Sequence, residues 1–254
     1  MKKYEFTGET KRVELWNRTA TLHRIKATVE FGFVKVGELG GWIEKEENLS
    51  HEGKAWVWGN AKVCDDAKVC GDAKVCDDAK VCGDAKVWGN AKVCGDAKVW
   101  GNAEVWGNAE VWGNAKVWGN AEVCGDAEVC GNAEVWGNAE VWGNAKVCGD
   151  AKVCGDAEVW GNAKVCGDAE VCGDAEVFLA SHVLVMGSVG SRNDFTTFFR
   201  DKDNEITVKC GCFLGKIDKF LEKVTQTHGN NKYALVYRAA VEVAKLQIEL
   251  TERK

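Results

Sequence analysis

From Ala55 to Ala180 the chain repeats one six-residue phrase twenty-one times without insertion: Ala, Lys or Glu, Val, Trp or Cys, Gly, and Asn or Asp. Only the ends blur, in Ala55-Trp56-Val57-Trp58-Gly59-Asn60 and Ala175-Glu176-Val177-Phe178-Leu179-Ala180. Ala and Val lie two apart, so on a strand they share one face, and the charged residue shares the other with Trp or Cys. Gly followed by Asn or Asp supplies a corner, because these residues tolerate positive φ. A helix does not fit: a Gly in every sixth place costs about 1 kcal/mol each, and β-branched Val adds to that. Disorder does not fit either, because the aligned Ala and Val make a stripe to be buried, which disordered tracts lack. The fixed period predicts a parallel β-helix with a small aliphatic interior.

The phrase resembles the bacterial hexapeptide-repeat proteins, whose pattern is an aliphatic residue, three variable positions, a small residue and one more. Val, Trp/Cys-Gly-Asn/Asp, Ala, Lys/Glu fits it in nearly every copy. The resemblance implies a left-handed parallel β-helix with three hexads per triangular coil, hence about seven coils in a prism on the order of 35 Å long. Proteins of that fold are often trimers.

The flanks are not repetitive. In residues 1–54, Leu22-His23-Arg24-Ile25-Lys26-Ala27 and Val29-Glu30-Phe31-Gly32-Phe33-Val34-Lys35-Val36 alternate as strands. Gly37, Gly40 and Gly41 mark the turn into Trp42-Ile43-Glu44. The segment reads as a β cap, which the open end of a β-helix needs. After Val183-Leu184-Val185-Met186, which either continues the last coil or leaves it, residues 187–254 read as a small α+β (ββαα) domain. Its strands are Phe195–Arg200 and Glu205–Cys210. A first helix carries Ile217, Phe220, Leu221 and Val224, and a second runs from Tyr233 to Leu250. The predicted domains are thus 1–54, 55–186 and 187–254. The run Gly37-Glu38-Leu39-Gly40-Gly41-Trp42-Ile43-Glu44 is similar to the opening segment of uncharacterised phage and prophage members of the family. Gly190-Ser191-Arg192-Asn193 and Cys210-Gly211-Cys212-Phe213 resemble their tail domain.

The net charge of −6 offers no general basic footprint, so nucleic acid is not expected as a partner. The start Met1-Lys2-Lys3-Tyr4-Glu5-Phe6 has no apolar run of a secretion signal, and nothing approaches the length of a membrane span, so a cytoplasmic protein is expected. Eleven of the 13 Cys alternate with Trp in the repeat, where they read first as small apolar filler; neighbouring rungs also put them within disulfide range, and their thiols could hold a soft metal, although a linear ladder does not converge as a zinc site does. The odd count and missing export signal argue for reduced thiols.

Stacking by eighteen residues sorts the outward column into faces. Trp100, Trp118 and Trp136 fall on one face, Trp112 on a second, and Trp88, Trp106, Trp142 and Trp160 on the third. So much aromatic surface implies cover by another subunit, in a dimer or trimer. The charged column is Lys through Lys98 and mostly Glu from Glu104, so the prism has a basic and an acidic end.

Chemistry is sparse. Acyl transfer on this fold needs a His as general base, and there is no His between Ala55 and Ala180. A three-His zinc centre is excluded in the coils for the same reason. No catalytic residue and no cofactor are therefore expected. The remaining candidates lie in the C-terminal domain: Ser191, Arg192, Asn193, Arg200 and His228 for a small anionic or nucleotide-like ligand, and Cys210 and Cys212 for a metal. The readings carried forward are a non-enzymatic scaffold or binding protein, a ligand-binding protein, and an acyltransferase relative using His182 or His228.

Overall fold

The computed structural model describes residues 2–15 and 18–250. Strands β1 (Tyr4–Glu14), β2 (Thr19–Ala27) and β3 (Leu39–Ile43) form an antiparallel meander. Strands β4 to β24 are twenty-one two-residue strands that recur every six residues, from Trp56–Val57 to Glu176–Val177. They build three parallel sheets in which each strand pairs with the one eighteen residues on, as Val81, Val99 and Val117 do. The fold is a parallel β-solenoid, and its core is the predicted one. Every repeat Ala and Val is buried.

The strands are short because the corners interrupt their dihedrals, yet the ladder runs on through them. Lys98, Trp100 and Asn102 donate their N–H groups to the carbonyls of Ala115, Val117 and Gly119 at 2.9, 3.0 and 2.8 Å. The corner columns are bonded through side chains as well. Asn102 donates to Asn120, Asn120 to Asn138, and Asn138 to Asp156, at 2.8–2.9 Å. The last member only has to accept, which a carboxylate does. Asn114 and Asn132 run in the same way into Asp150.

At the corners Gly113 has φ +74°, and a Cβ there would lie 3.0 Å from the Gly131 oxygen. Gly167 has φ +69° but nothing within 4 Å of an added Cβ. Gly167→Ala should therefore cost only the left-handed penalty, about 1–2 kcal/mol. Gly113→Ala should cost about 1–3 kcal/mol more, because the next rung must move. Paired denaturant melts of the two variants check this, and equal losses would contradict it.

The cap does more than cover the end. Trp42 and Ile43 of β3 pair in parallel with Lys62 and Val63 of β5, so the cap contributes a rung and the solenoid runs about eight turns rather than seven. Lys3 is buried and donates its ammonium to the Ala55 carbonyl at 2.8 Å, and that burial lowers its pKa to about 8. Asn48, also buried, donates to the Asp65 and Ala67 carbonyls. The expected strand over 29–36 is instead a reversal at Gly32 closed by a Phe31–Val34 bridge. Val34 turns inward while Phe33 stays exposed. β1 was not foreseen, because its middle, Thr7 to Arg12, is polar and solvated.

The C-terminal domain has four strands rather than two. β25 (Val183–Val189) leaves the solenoid, and β26 (Asp194–Arg200), β27 (Ile206–Cys210) and β28 (Phe213–Lys216) complete an antiparallel meander. The domain thus starts at Val183, four residues before the predicted boundary. α1 (Ile217–His228) and α2 (Lys232–Gln247) lie on the sheet through Phe198, Val208, Phe220, Tyr237 and Val241. Gly229, at φ +58°, ends α1, and the Asn231 side chain caps α2 by accepting from Tyr233 and Ala234 N–H. Among the described residues no helix is long and apolar enough to cross a membrane.

Candidate functional site

The predicted site residues of the C-terminal domain fall in two places: the seam between the last coils and the C-terminal sheet, and the turn region beside α1 and α2. The seam is a weld. Phe199 of β26 belongs to the same apolar core as the solenoid interior. The Glu170 N–H donates to Thr197 Oγ1 at 3.0 Å, and the Lys202 N–H to the Asp174 carbonyl at 3.0 Å. Arg200 is 3% exposed and donates to the Glu176 carboxylate at 2.7 Å, to the Glu176 carbonyl at 3.2 Å and to Asn204 at 2.9 Å. Its guanidinium also lies 4.9 Å from the centre of the Phe178 ring. Arg200 therefore holds two parts of the chain together and leaves the set of anion ligands.

Beside the weld, β26 and β27 overhang the solenoid face and enclose a groove of about 690 Å³. Its floor is the column Lys116, Glu134, Lys152 and Glu170, and its wall includes Asp194, Thr197 and Lys209. Lys116 pairs with Glu134 at 2.7 Å and Lys152 with Glu170 at 3.1 Å, and Lys209 reaches Glu170 at 3.3 Å. Three lysines face five carboxylates around it, since Asp150, Asp168 and Asp194 add to the two Glu. That balance suits a polar, uncharged or zwitterionic guest better than an anion. No sequence signal announced the groove, because its two sides come from separate stretches, 114–170 and 194–211, that meet only in the folded chain.

The remaining predicted residues gather at the turn. Asn193 takes a left-handed conformation, φ +52°, and Ser191 Oγ lies 3.4 Å from His228 Nε2. Arg192 reaches toward Gly211, where an added Cβ would come 2.7 Å from its Nη1. The His228 ring stacks against Tyr237 with centroids 5.8 Å apart. Tyr237 lies against Gly190, and its hydroxyl is held above the usual tyrosine range by burial and by Cys210. Cys210 accepts from Thr196 Oγ1 at 3.3 Å, while Cys212 is exposed. The two Cys do not join a cluster with metal-ligand geometry among the described residues. His182 is fully buried, with Nδ1 accepting from the Phe178 N–H, and cannot reach a substrate as a base.

The cysteine ladder departs from the filler reading. Cys76 is disulfide-bonded to Cys94, and Cys154 to Cys172, with Cα atoms 4.7 and 4.6 Å apart. Rung spacing alone brings stacked thiols into bonding range. Cys64 and Cys82 stack likewise but remain thiols. The Trp rings stack along their columns. Trp100, Trp118 and Trp136 stack at 5.0 Å, as do Trp88 and Trp106, and Trp142 and Trp160 stack at 4.9 Å. The rings cover one another, so only Trp88 (37%) and Trp112 (45%) are widely exposed among the repeat Trp. A stripe of exposed apolar side chains also lies on α2 and the residues after it: Leu235, Val236, Val243, Leu246 (89% exposed) and Leu250.

What the fold and its seams define is a two-ended β-solenoid rod carrying a sheet-and-helix domain. No protein-family model matches the chain, and a search of curated proteins found no significant match.

Proposed function

We propose that the chain is a non-enzymatic scaffold. In this reading a left-handed, hexapeptide-type β-helix acts as a rigid spacer, and the C-terminal domain provides recognition and assembly. A phage or prophage source belongs to the same reading and rests on the resemblance of the two flanks, while a cytoplasmic setting rests on the sequence's lack of an apolar signal run. In a reducing compartment both disulfides would open to dithiols.

One observation carries the proposal. The C-terminal domain is welded to the last rung through a shared core and the buried Arg200–Glu176 pair, so the rod holds it in one orientation. On its far side α2 presents an apolar stripe to solvent, of the kind that marks an interaction surface. The test is light scattering of the full chain in reducing buffer, beside Val243→Glu/Leu246→Glu. A discrete homo-oligomer that dissociates in the variant is expected. A monomeric full chain, or an oligomer indifferent to the variant, would sink the assembly role.

The groove supports a second reading, a binding protein for a small polar molecule. Mass spectrometry of the purified chain for a retained ligand, lost in Lys209→Ala, tests it.

A further inference from the structure

The hexad corner is Gly in every copy except the last and two others, where Asp65 and Asp77 stand instead. Both take the left-handed conformation, φ +56° and +59°, which a side chain makes costly. Each follows a Cys and lies beside the Cys of the next rung, so the chain builds Cys64, Asp65, Cys82 and Cys76, Asp77, Cys94 on one plan. In each set the sulfurs and a carboxylate oxygen all lie within 4.8 Å of one another. The carboxylates are aimed by the same contact: Asp65 accepts from the Gly83 N–H at 3.1 Å, and Asp77 from the Gly95 N–H at 3.0 Å. Stacked thiols need no such Asp to form a disulfide, because Cys154 and Cys172 do so beside Gly155. The acidic corner therefore calls for a reason of its own.

The first set has surroundings that the second lacks. The hairpin of β1 and β2 lies over it, with Leu22 and Trp42 against the sulfurs, and leaves Cys64 4% exposed. Glu44 accepts the Asp65 N–H at 2.7 Å and so fixes the corner from below. Arg18 bridges the Glu44 and Asp65 carboxylates, with Nη1 2.6 Å from Glu44. Two sulfurs and the Asp65 carboxylate thus converge, with the Glu44 carboxylate tied to Asp65 through Arg18, the one cation the chain has supplied.

We propose that Cys64, Asp65 and Cys82 form a site for a thiophilic divalent metal of the zinc class, with Arg18 as the competing cation. Both thiols give their protons to solvent on binding, and two thiolates and one carboxylate hold the ion, with the fourth tetrahedral position left to water. Zinc–sulfur bonds of about 2.3 Å require the sulfurs to approach to within roughly 4 Å, a side-chain rotation rather than a backbone move. Glu44 is a positioning residue. The second set, closed by the Cys76–Cys94 disulfide, shows how oxidation withdraws the same ligands.

The test is a Cd²⁺ titration of the full chain, reduced with a phosphine and followed by thiolate-to-cadmium charge-transfer absorption. The wild-type chain should bind one more tight equivalent than Cys64→Ala/Cys82→Ala. Asp65→Gly restores the repeat's own corner and so should fold, yet it should weaken that equivalent at least tenfold. Arg18→Gln should tighten it. Equal stoichiometry in the Cys double variant would overturn the site. An Asp65→Gly titration that matches the wild type would overturn the carboxylate ligand, and failure of Arg18→Gln to tighten binding would overturn the competition.

Discussion

Arg200→Ala is expected to undock the C-terminal domain at a cost of about 3–5 kcal/mol, the range for removing one partner of a buried ion pair. The guanidinium makes contacts that water cannot replace, because Arg200 is buried and the Glu176 side chain is only 13% exposed. It satisfies the Glu176 carboxylate and carbonyl and the Asn204 amide oxygen together. The loss should be local. A solenoid unfolds as coupled neighbours rather than all at once, so hydrogen exchange should quicken in β24 to β26 and leave the middle rungs unchanged. Uniform loss along the rod would contradict this account, as would a change within about 0.5 kcal/mol, the size of an ordinary surface substitution.

Acid should attack the same seam. Burial first, and the Arg200 charge second, lower the His182 pKa from 6.5 to about 4. Its folded pKa lies below its unfolded value, so the folded state resists protonation. The resulting stability is fully present above pH 6.5 and declines as pH falls from there toward 4, by about 3 kcal/mol in all. Denaturant melts at pH 7 and pH 4.5 should show the loss, and His182→Gln should flatten it. A variant with the same acid slope as the wild type would remove His182 from the cause.

Trp56→Ala should cost about 3–5 kcal/mol, the usual range for a large aromatic removed from a core. Trp56 occupies the place that is Lys or Glu in every other hexad, and pointing outward should leave it wet. The cap folds over it: Trp56 is fully buried, with the Phe31 ring 5.4 Å and the Tyr4 ring 6.2 Å away. Gly40 is needed beside it, since a Cβ there would come 2.7 Å from the indole. Trp56→Lys makes the sharper test. It restores the repeat consensus, yet it should destabilise at least as much as alanine, because it buries an ammonium under the cap. Stabilisation by Trp56→Lys, read from cap hydrogen exchange and melts, would show that the first hexad behaves like the rest.

How far the residues alone could be read depends on how local their signals are. Ala and Val two apart, with Gly at the corner, define a rung by themselves, and stacking by eighteen then aligns every column. For that reason the Trp ladders and the proximity of stacked Cys were legible in the repeat. The outcome within each column was not. Whether Trp rings hide one another, or whether two thiols join, depends on side-chain angles that a period does not encode. The candidate residues of the tail show the same division. Ser191 does come to His228, whereas Arg200 alternates in a strand like any surface Arg and is buried only because that strand meets the last rung.

By itself, then, the sequence determined the solenoid, its aliphatic core, its corners and the absence of His from its coils. A short exact period repeats the same local energies at every rung, so one rung predicts them all. The tertiary structure alone decided the eighth rung, the burial of Trp56 and Arg200, the groove under β26 and β27, and the encounter of Arg18 with Asp65. Each of these is a contact between a non-repeating flank and the rod. Such contacts depend on where the chain returns in space, a distance that no pattern along the chain records.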